Sequence, residues 1–69
     1  MSERGKQLLT PAEAAEFLSI REGTLAQWRS QRRGPPFIKL EGRLVRYRIS
    51  DLEMYVGANY VRAVDKHYA

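Results

Sequence analysis

The chain has 69 residues, enough for one domain and no more. It contains no cysteine and one histidine, His67, so disulfides, thiolate metal sites and a zinc site built on that histidine are all excluded. The net charge is +4, the hydrophobic content of 43% suffices for one small core, and no apolar run reaches signal-peptide or membrane length, as expected of a cytoplasmic protein.

Residues 1–7 are polar and charged and read as a flexible leader. Structure is expected to begin at Leu8-Leu9. Thr10-Pro11-Ala12-Glu13 is a helix start, with Thr10 as cap, Pro11 at the first helical position and Glu13 closing a capping box. Pro11, Ala14, Ala15 and Leu18 then fall on one helical face. The paired alanines let another helix approach closely.

Ser19-Ile20-Arg21 reads as a tight turn, and a second helix is expected from Glu22 to Ser30, with Ser19 and Glu22 as a second capping box. Leu25 and Trp28 share its inward face. Gly23, Ala26, Gln27 and Ser30 share the opposite one, which is small and polar as a helix lying in a groove requires. Gly34, Pro35 and Pro36 end the helix and turn a corner.

Phe37-Ile38-Lys39-Leu40 and Leu44 to Ile49 read as two strands of a hairpin, turned at Glu41-Gly42-Arg43. Alternation sets Val45, Tyr47 and Ile49 on one side and Leu44, Arg46 and Arg48 on the other. Ser50-Asp51-Leu52-Glu53 predicts a third capping box and helix, with Leu52, Tyr55 and Val56 inward and Gly57 at its end. Residues 58–69 form a tail in which Tyr60, Val61, Val64 and Tyr68 have rough helical spacing, a segment suited to interactions. Helix, turn, helix, basic corner, two-stranded hairpin and C-terminal helix make a small α+β winged helix-turn-helix over residues 8–57. Leu25, Trp28, Phe37, Tyr47 and Leu52 are its expected core.

Charge is concentrated in the middle of the chain. Arg21, Arg29, Arg32, Arg33, Lys39, Arg43, Arg46 and Arg48 face only Glu22 and Glu41, leaving +6 over residues 21–48 and −2 elsewhere. Seven of these eight cations are arginine, whose planar fork suits phosphates and guanine edges. A solvated cationic face is the plainer reading of such a run.

Several segments in order carry a resemblance. They are Leu9-Thr10-Pro11-Ala12-Glu13-Ala14-Ala15, Leu18, Thr24-Leu25-Ala26-Gln27-Trp28-Arg29, Gly34-Pro35-Pro36-Phe37-Ile38-Lys39, Val45-Arg46-Tyr47 and Ser50-Asp51-Leu52-Glu53. Together, over about 50 of the 69 residues, they resemble the phage excisionase group of MerR-like winged helix-turn-helix proteins. Each piece is weak and the series is specific. Ser19 stands where many relatives have glycine, and Arg21 where many have Ser or Thr.

The resemblance implies a second helix in the major groove and a wing in the neighbouring minor groove of double-stranded DNA. By position, Gly23, Ala26, Gln27 and Ser30 would face the bases, with Thr24 beside them nearer a phosphate or the turn. Gln27 is the expected reader, since an amide pairs with adenine N6 and N7. Arg43 would enter the minor groove, where narrow A·T-rich sequence concentrates negative potential. Arg21, Arg29, Arg32, Arg33, Lys39, Arg46 and Arg48 would contact phosphates; Arg46 pairing with Asp51 or Glu53 is the alternative for that residue.

The expected function is that of an excisionase, an architectural factor that bends attachment-site DNA and turns a phage integrase towards excision. It would act with other copies of itself, head-to-tail, because one small domain reads few base pairs. A small prophage transcriptional regulator is the second reading, and an adaptor whose basic face meets an acidic protein is the third. Asp65 and His67 lack an accompanying nucleophile, metal set or phosphate loop, so no catalytic residue, cofactor, small-molecule substrate or membrane is expected.

Overall fold

A computed structural model describes residues 7–61. In chain order the elements are β1 (Leu8–Leu9), α1 (Pro11–Leu18), α2 (Glu22–Ser30), β2 (Ile38–Leu40), β3 (Leu44–Arg48) and α3 (Ile49–Ala58). This is the winged helix-turn-helix expected, with one addition. The sheet has three strands in the order β1-β3-β2, all antiparallel, because Leu8-Leu9 pairs with Arg48 and Tyr47. The added strand ties the start of the domain to the wing.

The capping box of α1 is complete. Thr10 Oγ1 accepts from the Glu13 amide at 3.2 Å and Glu13 Oε1 accepts from the Thr10 amide at 2.9 Å, with Pro11 in the first turn. The other two expected boxes do not form. Ser19 ends α1 instead, in a left-handed conformation with φ 59°, and the Ile20 amide closes back to the Ala15 carbonyl at 2.9 Å. The residue before α2 is therefore Arg21, with no side-chain cap. Ser50 lies inside α3, since β3 runs into that helix without a loop and Arg48 takes the capping position. Gly57 does not stop α3, which continues to Ala58.

Helix α2 closes as α1 does. Arg32 is left-handed at φ 59° and the Arg33 amide reaches back to the Trp28 carbonyl at 2.9 Å. Gly34 follows at φ 89°, where a Cβ would lie 2.8 Å from Trp28 Cε3, so only glycine fits against the indole. The wing turns through Glu41 and Gly42, both with positive φ, and the Arg43 amide donates to the Leu40 carbonyl at 3.0 Å.

Ala14, Ala15, Leu25, Tyr47, Leu52 and Leu9 form the buried core, with Leu18, Ile20, Trp28, Val45 and Ile49 packed against it. The alanines let α2 come close enough for Leu25 to be fully buried. Trp28 is half-buried and packs its ring against Tyr55, centroids 6.1 Å apart. Two expected core residues sit elsewhere. Phe37 is 38% exposed, since β2 begins only at Ile38 and leaves Phe37 in the connection from α2, and Val56 is 51% exposed on the outer side of α3.

Register divides the sheet into two faces. Lys39 pairs with Val45 and Leu9 with Tyr47, so these four share the face towards the helices. Leu40 with Leu44, Ile38 with Arg46 and Leu8 with Arg48 share the other. Ile49 is not part of that alternation, being the first residue of α3. Of the leader only Gln7, and of the tail only residues 58–61, fall among the described residues; Val64, Asp65, His67 and Tyr68 lie outside them.

Candidate nucleic-acid interface

The outward face of α2 follows from its inward one. With Leu25 buried and Trp28 packed on the core, Gly23, Gln27 and Ser30 are exposed, while Thr24 and Ala26 are half-buried at the flanks. The Gln27 side chain makes no hydrogen bond among the described residues. The Gln27 backbone carbonyl accepts from Ser30 Oγ at 2.9 Å, so the serine hydroxyl spends its proton on the helix and presents acceptor lone pairs outward.

Beside this face the chain forms a cleft of about 530 Å³ between α2 and the wing. Ala26, Arg29 and Ser30 contribute the helix side; Lys39, Gly42, Arg43 and Val45 contribute the wing side, and Phe37 also lines the cleft. A second cleft of about 580 Å³ lies at the corner after α2, lined by Arg32, Arg33, Gly34, Pro35 and Pro36. Arg29, Phe37 and Lys39 line both, so the two clefts adjoin across these side chains and together make up the groove. No carboxylate lines either part.

The cations differ in how they are held. Arg29 Nη1 donates to the Tyr47 hydroxyl at 3.1 Å, and its guanidinium lies 6.0 Å from the Phe37 ring centroid. Arg33 lies 5.5 Å over Trp28 and donates to Gln31 Oε1 at 3.3 Å. Such stacking leaves the guanidinium edge available to an anion. Arg21, Arg32, Lys39 and Arg43 have no side-chain partner among the described residues and are exposed.

On the back of the sheet the pattern changes. Arg46 Nη1 donates to the Val45 carbonyl at 2.7 Å, and Asp51, one of the two carboxylates weighed as its alternative partner, belongs to Arg48 instead. Arg48 grips Asp51 through two bonds, of 2.9 and 3.2 Å, and Asp51 raises the already high guanidinium pKa through hydrogen bonding first and charge second. Arg46 and Arg48 share the sheet face away from α2, so register separates them from the groove. The groove therefore collects Ala26, Ser30, Arg29, Arg32, Arg33, Lys39 and Arg43, with Gly23 and Gln27 on the adjoining helix face and Arg21 at the start of α2. Residue pattern alone missed the Tyr47 hydroxyl, which composition marks only as an aromatic.

Among the described residues there is no cluster of three or more His, Asp or Glu able to hold a metal, and no helix is long and apolar enough to cross a membrane. Fold and groove define the class: a winged helix-turn-helix presenting a small polar helix face beside a basic wing. A family model described as a helix-turn-helix domain matches residues 8–60, which is most of the chain. The chain belongs to that family, and double-stranded DNA is its partner. No curated protein matches it.

Proposed function

We propose that α2 reads the major groove while the wing reaches the adjacent minor groove, so that the intervening phosphate backbone runs through the cleft between them. The observation that carries this reading is that cleft: α2 and the wing line it jointly with Arg29, Lys39 and Arg43 and without a carboxylate. Gly23, Ala26, Gln27 and Ser30 face the bases, with Thr24 at their edge. Arg43 beside the turn glycine enters the minor groove, where narrow sequence holds a guanidinium. Arg21, Arg29, Arg32, Arg33 and Lys39 neutralise phosphates. Arg46 and Arg48, behind the sheet, contribute through long-range charge rather than direct contact.

One domain of this size covers few base pairs, so useful specificity requires neighbouring copies or a partner. With the resemblance to phage excisionases, this supports an architectural role: several copies bind beside an attachment site, bend the DNA and turn an integrase towards excision. A footprint of the purified protein on fragments of its own genome tests the proposal. An extended, cooperatively growing footprint over tandem sites beside an attachment site is expected. One compact footprint overlapping a promoter would overturn it in favour of a transcriptional regulator, and the absence of salt-dependent duplex binding would overturn the placement of DNA in the groove.

A further inference from the structure

We propose that the wall shared by the two clefts is a preorganised seat for a single DNA phosphate, with Arg29 as its binding cation and Tyr47 as the residue that positions it. The inference rests on the backbone reading above and narrows it to one anion site.

Arg29 and Lys39 are the cations that line both clefts. Lys39 is exposed and has no partner among the described residues, whereas Arg29 is half-buried and held from two elements. From β3, the fully buried Tyr47 accepts a hydrogen bond from Arg29 Nη1 at 3.1 Å. From the segment entering β2, the Phe37 ring lies 6.0 Å from the guanidinium. Phe37 itself is braced against Tyr47, with ring centroids 6.0 Å apart.

This arrangement leaves most of the guanidinium donors free while fixing their direction. A mobile arginine surrenders rotamer freedom when it grips a phosphate; Arg29 has surrendered much of it on folding, so less affinity is lost on binding. The Ser30 hydroxyl beside it donates to the Gln27 carbonyl and does not compete as a donor. The described cations outside the groove fare differently: Arg46 turns to a backbone carbonyl and Arg48 to Asp51. The unanchored cations Arg21, Arg32, Lys39 and Arg43 raise the local potential, but only Arg29 combines a fixed direction with a place on both clefts.

A double-mutant cycle on Arg29 and Tyr47 tests this, using fluorescence anisotropy with a labelled mixed-sequence duplex across a salt series and thermal melting of each variant. Arg29→Ala should weaken binding by about tenfold and flatten the slope of log K against log salt by about 0.9, one phosphate's worth. Tyr47→Phe keeps the ring and removes only the acceptor, and should weaken binding by about three- to tenfold at temperatures where it is fully folded. Added to Arg29→Ala, it should cost less than about twofold more, since the group it positions is gone. An equal loss in both backgrounds, or a lowered melting temperature with unchanged affinity, would overturn the positioning role. Should Tyr47→Phe fail to fold, Arg29→Lys carries the test: affinity near that of Arg29→Ala supports the seat, and wild-type affinity overturns it. Failure of the wild-type protein to bind the duplex would instead remove the DNA-backbone reading and this seat with it.

Discussion

Both helices of the helix-turn-helix are followed by a left-handed residue that carries a side chain, Ser19 directly after α1 and Arg32 two residues after α2, each at φ 59°. Replacing each with glycine separates the fold from the interface. The left-handed region costs an L-residue about 1–2 kcal/mol, while glycine's extra unfolded freedom costs about 0.5–1 kcal/mol. Ser19 is exposed and its side chain makes no hydrogen bond among the described residues, so Ser19→Gly should gain about 0.5–1 kcal/mol. In a domain of this length that raises the melting temperature by about 2–8 °C. Arg32→Gly relieves the same strain but removes a cation from the C-terminal end of α2, worth about 0.3–1 kcal/mol, so its stability should stay near that of the wild type. The two variants should part on DNA. Ser19→Gly should bind as the wild type does, whereas Arg32→Gly should flatten the salt slope by about 0.9 and weaken binding alike on every sequence. Circular dichroism melts and anisotropy titrations read both quantities. A Ser19→Gly protein that melts at or below the wild-type temperature would refute the strain argument, and an unchanged salt slope for Arg32→Gly would take Arg32 out of the interface.

Three further substitutions probe other parts of the molecule. Gln27→Ala should relax base choice at one position and cost about 1–3 kcal/mol at the preferred site, read by binding to a panel of single-base variants; equal weakening on all of them would assign Gln27 no reading role. Arg43→Ala should lose affinity mainly on sites with a narrow minor groove, and the difference should vanish when G·C-rich sequence is placed under the wing. Gly34→Ala sets a Cβ 2.8 Å from Trp28 Cε3 at φ 89°, and should destabilise the fold by about 2–4 kcal/mol in a urea melt. A loss below about 0.5 kcal/mol would mean that the indole yields easily.

One local pattern, a hydroxyl residue followed three places on by glutamate, shows how far sequence carried the fold. At Thr10 the box forms because the chain arrives extended from β1 and nothing competes for the threonine hydroxyl. At Ser19 the same pattern loses to the preceding helix, whose carbonyls are satisfied only if Ser19 turns left-handed and lets the Ile20 amide reach Ala15. Glycine is the residue this geometry favours. At Ser50 it loses to the sheet, since pairing of Arg48 with Leu8 holds the chain extended up to the first residue of α3. Capping is a local preference worth about 1 kcal/mol, and a neighbouring ladder or helix end outweighs it. The third strand was illegible for a related reason: two residues have no period, and only the partner strand makes Leu8-Leu9 a strand.

The interface divides along the same line. The small polar face of α2 and the excess of arginine are properties of composition and helical period, and both can be read without coordinates. Which arginines share a groove is a property of register. Arg46 and Arg48 carry the same charge as Arg43, yet pairing with Ile38 and Leu8 turns them to the back of the sheet, where Asp51 holds one of them. Arg29 shows the limit most sharply. Its hydrogen-bond partner lies 18 residues away and on a different element, as a tyrosine whose ring the core demands and whose hydroxyl reaches the Arg29 guanidinium. A core position thus carries a polar atom to an arginine of the groove, so the demands of packing and of binding meet in one side chain, and Tyr47→Phe separates them by a single oxygen.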